Sequence, residues 1–184
     1  MHTTMLSLAL LAAAGSAGER AVRNGVEARV AELAGGILPP MASARVTPPV
    51  PARWPPQGPT AVVFHVYAAV FDPALRDGER VLSSWALATL EPGAAEASLR
   101  TLRKPTRELG VQGVRPLRAE EQEALATRDS AEAALTRLAR EGRPDGPEAE
   151  QVRRFYCAWS SVNGVVAADL RGACPEFFDW LACR

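Results

Sequence analysis

Histidine, cysteine and paired carboxylates carry much of protein chemistry, and this chain of 184 residues has only two histidines and three cysteines. His2 falls in a segment that reads as removable, so any Ser-His or Cys-His mechanism would have to run through His65. His65 shares one face of an apolar stretch with Val63, Tyr67, Ala69 and Phe71. That is where a hydrogen-bonded core histidine sits, so a structural role is expected and no catalytic residue is assigned. Zinc would need His65 together with cysteines from a distant segment, which is the wrong spacing for a structural site. No metal or cofactor is expected.

Carboxylates cluster at Asp72 with Asp77 and at Glu120, Glu121 and Glu123. A hydrolase needs two of them held across a cleft. The second cluster, however, opens a helix, where acids favour the dipole without any catalytic duty. Asp72–Gly78 lacks the alternating oxygens of a calcium loop, and no glycine-rich phosphate cradle occurs.

One local charge asymmetry stands out in a chain with 21 basic and 21 acidic residues. Between positions 100 and 118 lie Arg100, Arg103, Lys104, Arg107, Arg115 and Arg118, against the single acid Glu108. This run is the candidate partner-binding surface, suited to an envelope protein or an anionic polymer. The bland alternative is a solvated face neutralised by Glu120–Glu123. A balanced whole-chain charge argues against nucleic acid.

The cysteines are Cys157, Cys174 and Cys183. If Pro175–Ala182 is helical, Cys174 and Cys183 stand about 13 Å apart, beyond the roughly 7 Å that a disulfide tolerates. An antiparallel final helix would instead return Cys183 to the level of Cys157. The expected bond is Cys157–Cys183, with Cys174 free and buried beside a turn.

The elements that must position these groups follow from periodicity. The stretch 148–183 holds all three cysteines and six of the eleven aromatics, so the rest of the chain is expected to pack around it. A helix over Glu148–Asp169 puts Val152, Phe155, Tyr156, Trp159, Val162 and Val166 on one face. Its other face carries the small residues Cys157, Ser161, Gly164 and Ala168, which predicts burial on both sides. Thr60–Asp72 and Glu79–Leu90 read as strands, joined by turn chemistry at Asp72-Pro73 and Asp77-Gly78. Pro92-Gly93 ends the second strand, and a short helix is expected over Ala94–Arg103. A strand or extended loop should cover Gly110–Pro116. A long helix should then run from Leu117 to Glu141, with a possible break at Asp129.

Toward the N-terminus, Met5–Gly15 is a short apolar run followed by Ser16, Ala17 and Gly18. This fits a secretory signal cleaved after Ala17 or Gly18, although Lys and Arg are missing ahead of it. Glu19-Arg20 ends the run too early for a membrane span. Residues 19–38 read as an amphipathic helix along Val22, Val26, Val30, Leu33 and Ile37, docked on its own domain. Residues 39–59 hold eight of the fifteen prolines and read as a semi-rigid tether, with Trp54 laid on the domain.

The expected fold is α+β: an antiparallel β-hairpin, about 61–71 and 80–90, packed by three or four helices. The expected domain plan is a signal peptide (1–18), the amphipathic helix (19–38), the proline-rich linker (39–59) and one globular domain (60–184). The expected role is an exported, periplasmic or extracellular, non-enzymatic binding protein of a cell-envelope assembly, with no transmembrane span in the mature chain. The competing expectation is a small exported carboxylate-based hydrolase.

Overall fold

A computed structural model describes residues 24–33, 43–58, 60–70, 79–94, 97–101, 108–113 and 116–183. The fold is α+β, with an antiparallel sheet and six helices among these residues. Its centre is the expected hairpin: β3 (Val62–Val70) and β4 (Glu79–Leu90) run antiparallel from Val62 opposite Leu90 to Val70 opposite Val81. The ladder skips Trp85, a one-residue bulge on β4.

Two further strands flank each side. β1 (Ser43–Val46) and β2 (Val50–Pro51) both pair with β3, one beyond the other. β5 (Ser98–Thr101) and β6 (Glu108–Gly113) pair with β4 in the same way. The sheet is therefore four columns wide, and its two outer columns are each built from two short pieces.

Both outer columns correct the sequence expectation. Among the described residues of the proline-rich stretch, Ser43–Val46 and Val50–Pro51 join the sheet instead of forming a spacer. Val50 is wholly buried, and the Ala52 N–H donates to the Ala61 carbonyl at 2.7 Å. Trp54 does lie on the domain, at 6% exposure. In place of the helix expected over 94–103 the chain forms β5. Its cause is the turn at Glu91–Ala94: Pro92 fixes one corner, Gly93 takes φ 77°, and the Ala94 N–H returns to the Glu91 carbonyl at 3.0 Å. Pro at the second position and a positive-φ Gly at the third make a reversing turn, so the strand folds back instead of ending.

The helices α2 (Ala119–Leu125) and α3 (Arg128–Glu141) replace the single long one. The break falls at Ala126–Thr127, just before Asp129, because the Thr127 hydroxyl donates to the Ala124 carbonyl at 2.6 Å and competes with the helix ladder. Gly142 closes α3 at φ 63°, and Pro147 opens α4 (Pro147–Val162) as its first residue. The expected continuation to Asp169 is interrupted at Asn163, whose side-chain amide donates to the Trp159 carbonyl at 3.0 Å. α5 (Gly164–Arg171) and α6 (Pro175–Leu181) follow.

The bulky face of α4 and α5 is buried as expected at Val152, Phe155, Tyr156, Trp159 and Val166, with Val162 half-buried. The small-residue face is buried only in part: Cys157 is half-buried against α6, while Ser161, Gly164 and Ala168 are exposed. The main core joins α3, α4, α5 and α6 to the sheet through Val63, Tyr67 and Leu87. On the opposite face Val62, Phe64, Val66, Ala88 and Leu90 form a second, smaller cluster, capped by Val26 and Val30 of a helix α1 over 24–33. The alternation along β3 thus sends odd residues to one core and even residues to the other. On α1, Leu33 departs from the expected stripe and is 39% exposed. Val22 and Ile37 lie outside the described residues.

Candidate functional site

The basic run is only partly placed. Arg100 sits in β5 opposite Leu87. Arg103, Lys104, Arg107 and Arg115 lie outside the described residues. Arg118 precedes α2, where its guanidinium meets Glu121 at 3.0 Å and Glu120 at 3.5 Å. Its backbone N–H also donates to Glu121 at 3.0 Å, which ties the carboxylate back across the first turn. For Arg118 the neutralising role of the acidic turn holds. The carboxylate candidates of that turn are likewise engaged, since Glu123 accepts from Arg154 at 3.1 Å. Asp72 and Asp77 lie outside the described residues.

His65 is 1% exposed in β3, fixed through its backbone by Thr47. Its N–H donates to Thr47 Oγ1 at 2.9 Å and its carbonyl accepts from the Thr47 N–H at 3.1 Å. Burial pushes the imidazole below its ordinary pKa, and the charge of Asp169 on α5 opposes only part of that. Burial between strand and helix therefore favours the neutral form of the imidazole.

The cysteines pair as the helix lengths required. Cys157 on α4 is bonded to Cys183 just past α6, with the Cα atoms 5.3 Å apart, and Cys174 is free and buried. The Cys174 thiol is pushed up by burial, with Glu176 adding to the effect and the Phe177 backbone opposing it. The bond pins α6 against α4. Beneath it Phe177 is the hub of an aromatic cluster, with ring centroids 5.3 Å from Trp54, 5.2 Å from Tyr156, 5.7 Å from Phe178 and 5.8 Å from Trp180. Arg153 lies 4.5 Å over Trp180.

The charge centre that sequence reasoning missed is Arg128, at the start of α3. Its Nε donates to Glu132 at 2.8 Å, one helical turn on, and its NH2 reaches Glu27 of α1 at 3.3 Å. Glu132 is 8% exposed. Burial opposes the Arg128 charge, but Glu132, by charge and hydrogen bond, and Glu27 outweigh it and hold its pKa above the usual arginine value. The Tyr156 hydroxyl donates to the Pro49 carbonyl between β1 and β2. The Arg128–Glu132 spacing was visible as an i, i+4 pair. Nothing in the sequence flags Glu27, 101 residues away.

Glu27 and Glu132 do converge, yet both on the Arg128 guanidinium, which lies between them. Hydrolysis needs an open pair of carboxylates instead. The centre ties α1 to α3 through these ion pairs. No group of three or more potential metal ligands gathers among the described residues. None of their helices is long and apolar enough to cross a membrane. Compared with protein-family models, curated proteins and solved structures, the chain matches none.

Proposed function

We propose that this chain is an exported, non-enzymatic protein that binds a partner within a cell-envelope assembly. The observation that carries the reading is the Cys157–Cys183 bond, because disulfides persist in oxidising compartments and are rare in the cytosol. The apolar run and small residues of Met5–Gly18 support the same compartment. The charged groups of the described body favour binding over catalysis. Arg118, Arg128 and Arg154 are each paired with carboxylates, and His65 is buried and held neutral. The partner contact falls to Arg100, Arg103, Lys104, Arg107 and Arg115, since Arg118 is already engaged by Glu120 and Glu121. Such a run suits an acidic envelope protein or an anionic polymer.

The test is retention of partner material from the cell-envelope fraction on the tagged protein. Reversing Arg103 and Arg107 to Glu should reduce retention, and raised salt should mimic the change. Equal, salt-insensitive retention by both proteins overturns the electrostatic contact. N-terminal sequencing should find a start near Gly18 or Glu19; an intact Met1 on cytosolic protein overturns export.

A further inference from the structure

The three cysteines differ in what solvent can reach. Cys183 is exposed, Cys157 is half-buried against α6, and Cys174 is 1% exposed. An attacking thiolate therefore finds one end of the Cys157–Cys183 bond in the open and the third cysteine out of reach. The backbone beside that bond is strained. Ala182 is the one non-glycine residue with a left-handed φ among the described residues, at 50°, in a helix cap where glycine is usual. It is fixed from both sides, by the buried Leu181 and by Cys183 in its bond. Opening the bond frees one of the two. α6 has other anchors: Phe177 and Phe178 are buried, and Arg153 lies 4.5 Å over Trp180 with its Nε donating to the Trp180 carbonyl at 3.4 Å. The reduced form also has an acceptor in place, since the Leu181 carbonyl lies 3.8 Å from Cys157 Sγ.

We propose that Cys157–Cys183 is a reversible thiol–disulfide exchange site for an external dithiol, entered at Cys183 and poised by the strained cap at Ala182. One thiolate of the dithiol attacks Cys183 Sγ, which forms a mixed disulfide and breaks the native bond. Cys157 leaves as a thiolate, takes a proton from solvent and donates to the Leu181 carbonyl. The second thiolate of the dithiol then attacks the dithiol's own sulfur in the mixed disulfide. This closes the dithiol into a disulfide and releases Cys183, which is protonated in turn. In sum the dithiol gives up two electrons and two protons, and the two cysteines gain them. Ala182 leaves the left-handed region once Cys183 is free, so relief of strain favours opening. The reverse steps restore the bond, and the buried Cys174 takes no part. The exchange needs this bond and not the basic run, so it stands apart from the envelope contact proposed above.

The test titrates the full-length oxidised protein with dithiothreitol without denaturant. Samples are quenched in acid, alkylated in denaturant and mapped. Cys157 and Cys183 should gain label together, against a Cys174 labelled throughout, while the amides of α4 and α6 keep their protection from hydrogen exchange. Glutathione has a single thiol and traps the first step, so its adduct should sit on Cys183 about tenfold over Cys157. Ala182→Gly removes the strain and should raise severalfold the ratio of reduced to oxidised dithiothreitol needed for half-reduction. Reduction that occurs only in denaturant, or that takes the protection of α6 with it, overturns the proposal. An adduct mainly on Cys157 or on Cys174 overturns entry at Cys183. A half-reduction point that Ala182→Gly leaves unmoved overturns the strained cap as the poising element.

Discussion

The two faces of the sheet are covered in very different ways. On one, four helices bury Phe155, Tyr156, Phe177, Leu170 and Leu181 at 2% exposure or less, and a disulfide holds α4 and α6 together. On the other, one short helix contributes two valines and an ion pair. At roughly 1.5–3 kcal/mol for each fully buried apolar side chain, the first face commits several times the free energy of the second. The expectation is a body that opens only on global unfolding and a cover that opens locally. Breaking each side separately shows whether that division is real.

The largest effect should come from the aromatic hub. Phe177→Ala removes a wholly buried ring with four aromatic neighbours and should cost about 3–5 kcal/mol in urea unfolding. A loss near 1 kcal/mol would mean that the cluster collapses around the gap and is not tightly packed. The disulfide comes next. It closes a loop with a sequence separation of 26, so Cys183→Ser should cost on the order of 3.5 kcal/mol by the loop-entropy relation. Peptide mapping after alkylation without reductant should find Cys157 joined to Cys183. The native Cys174 thiol, buried and raised in pKa, should alkylate only after denaturation.

What the sequence disclosed divides along the same line. The central hairpin was legible because Val62, Val63, Phe64, Val66 and Tyr67 crowd β-branched and aromatic side chains into one run. The disulfide was legible because helix rise fixes distance, and the interruption at Asn163 did not disturb it, since α6 still returns along α4. The outer sheet columns were not legible. Ser98–Thr101 is a strand because β4 is long enough to offer it an edge, and Val50-Pro51 because β3 does. Those are pairings across the chain that no local pattern records. The exposed stripe at Ser161, Gly164 and Ala168 failed for a related reason: small residues permit close approach but do not require it. Of the candidate binding run, Arg118 is placed and neutralised and Arg100 is placed on an edge strand, while the rest lies outside the described residues.

His65 gives a middle-sized effect on the strong side. His65→Gln should cost about 1–3 kcal/mol at neutral pH, typical of a core change. The pH dependence has a fixed sign. The unfolded imidazole takes up a proton near its ordinary 6.5, while the buried one resists until lower pH. The contribution is therefore fully present above 6.5 and is lost as pH falls from there through the lowered folded value. Melting temperature followed from about pH 7.5 to 5 should fall for wild type and fall less for His65→Gln, histidine being the side chain that titrates in that range. Parallel curves would show that His65 does not sense the core as its burial requires.

The smallest effect belongs to the cover, and it sharpens the contrast most. Glu27→Gln leaves Val26 and Val30 unchanged and takes the carboxylate charge away from Arg128, which it meets at 3.3 and 3.4 Å. Arg128 keeps Glu132 at 2.8 Å, so no buried charge is stranded. Its side chain is 39% exposed and that of Glu27 18%, so solvent screens the pair. The global loss should then be about 0.5–1 kcal/mol or less, close to the resolution of a melting curve. Amide exchange reads the site directly if α1 opens as its own unit. Its Val30 amide should exchange about two- to fivefold faster than in wild type, the same free energy expressed as a local opening constant. The amides of α4 around Phe155 should not change at all. Equal acceleration in α1 and α4 would mean that the cover and the body unfold as one unit, and the two faces of the sheet would lose their distinction.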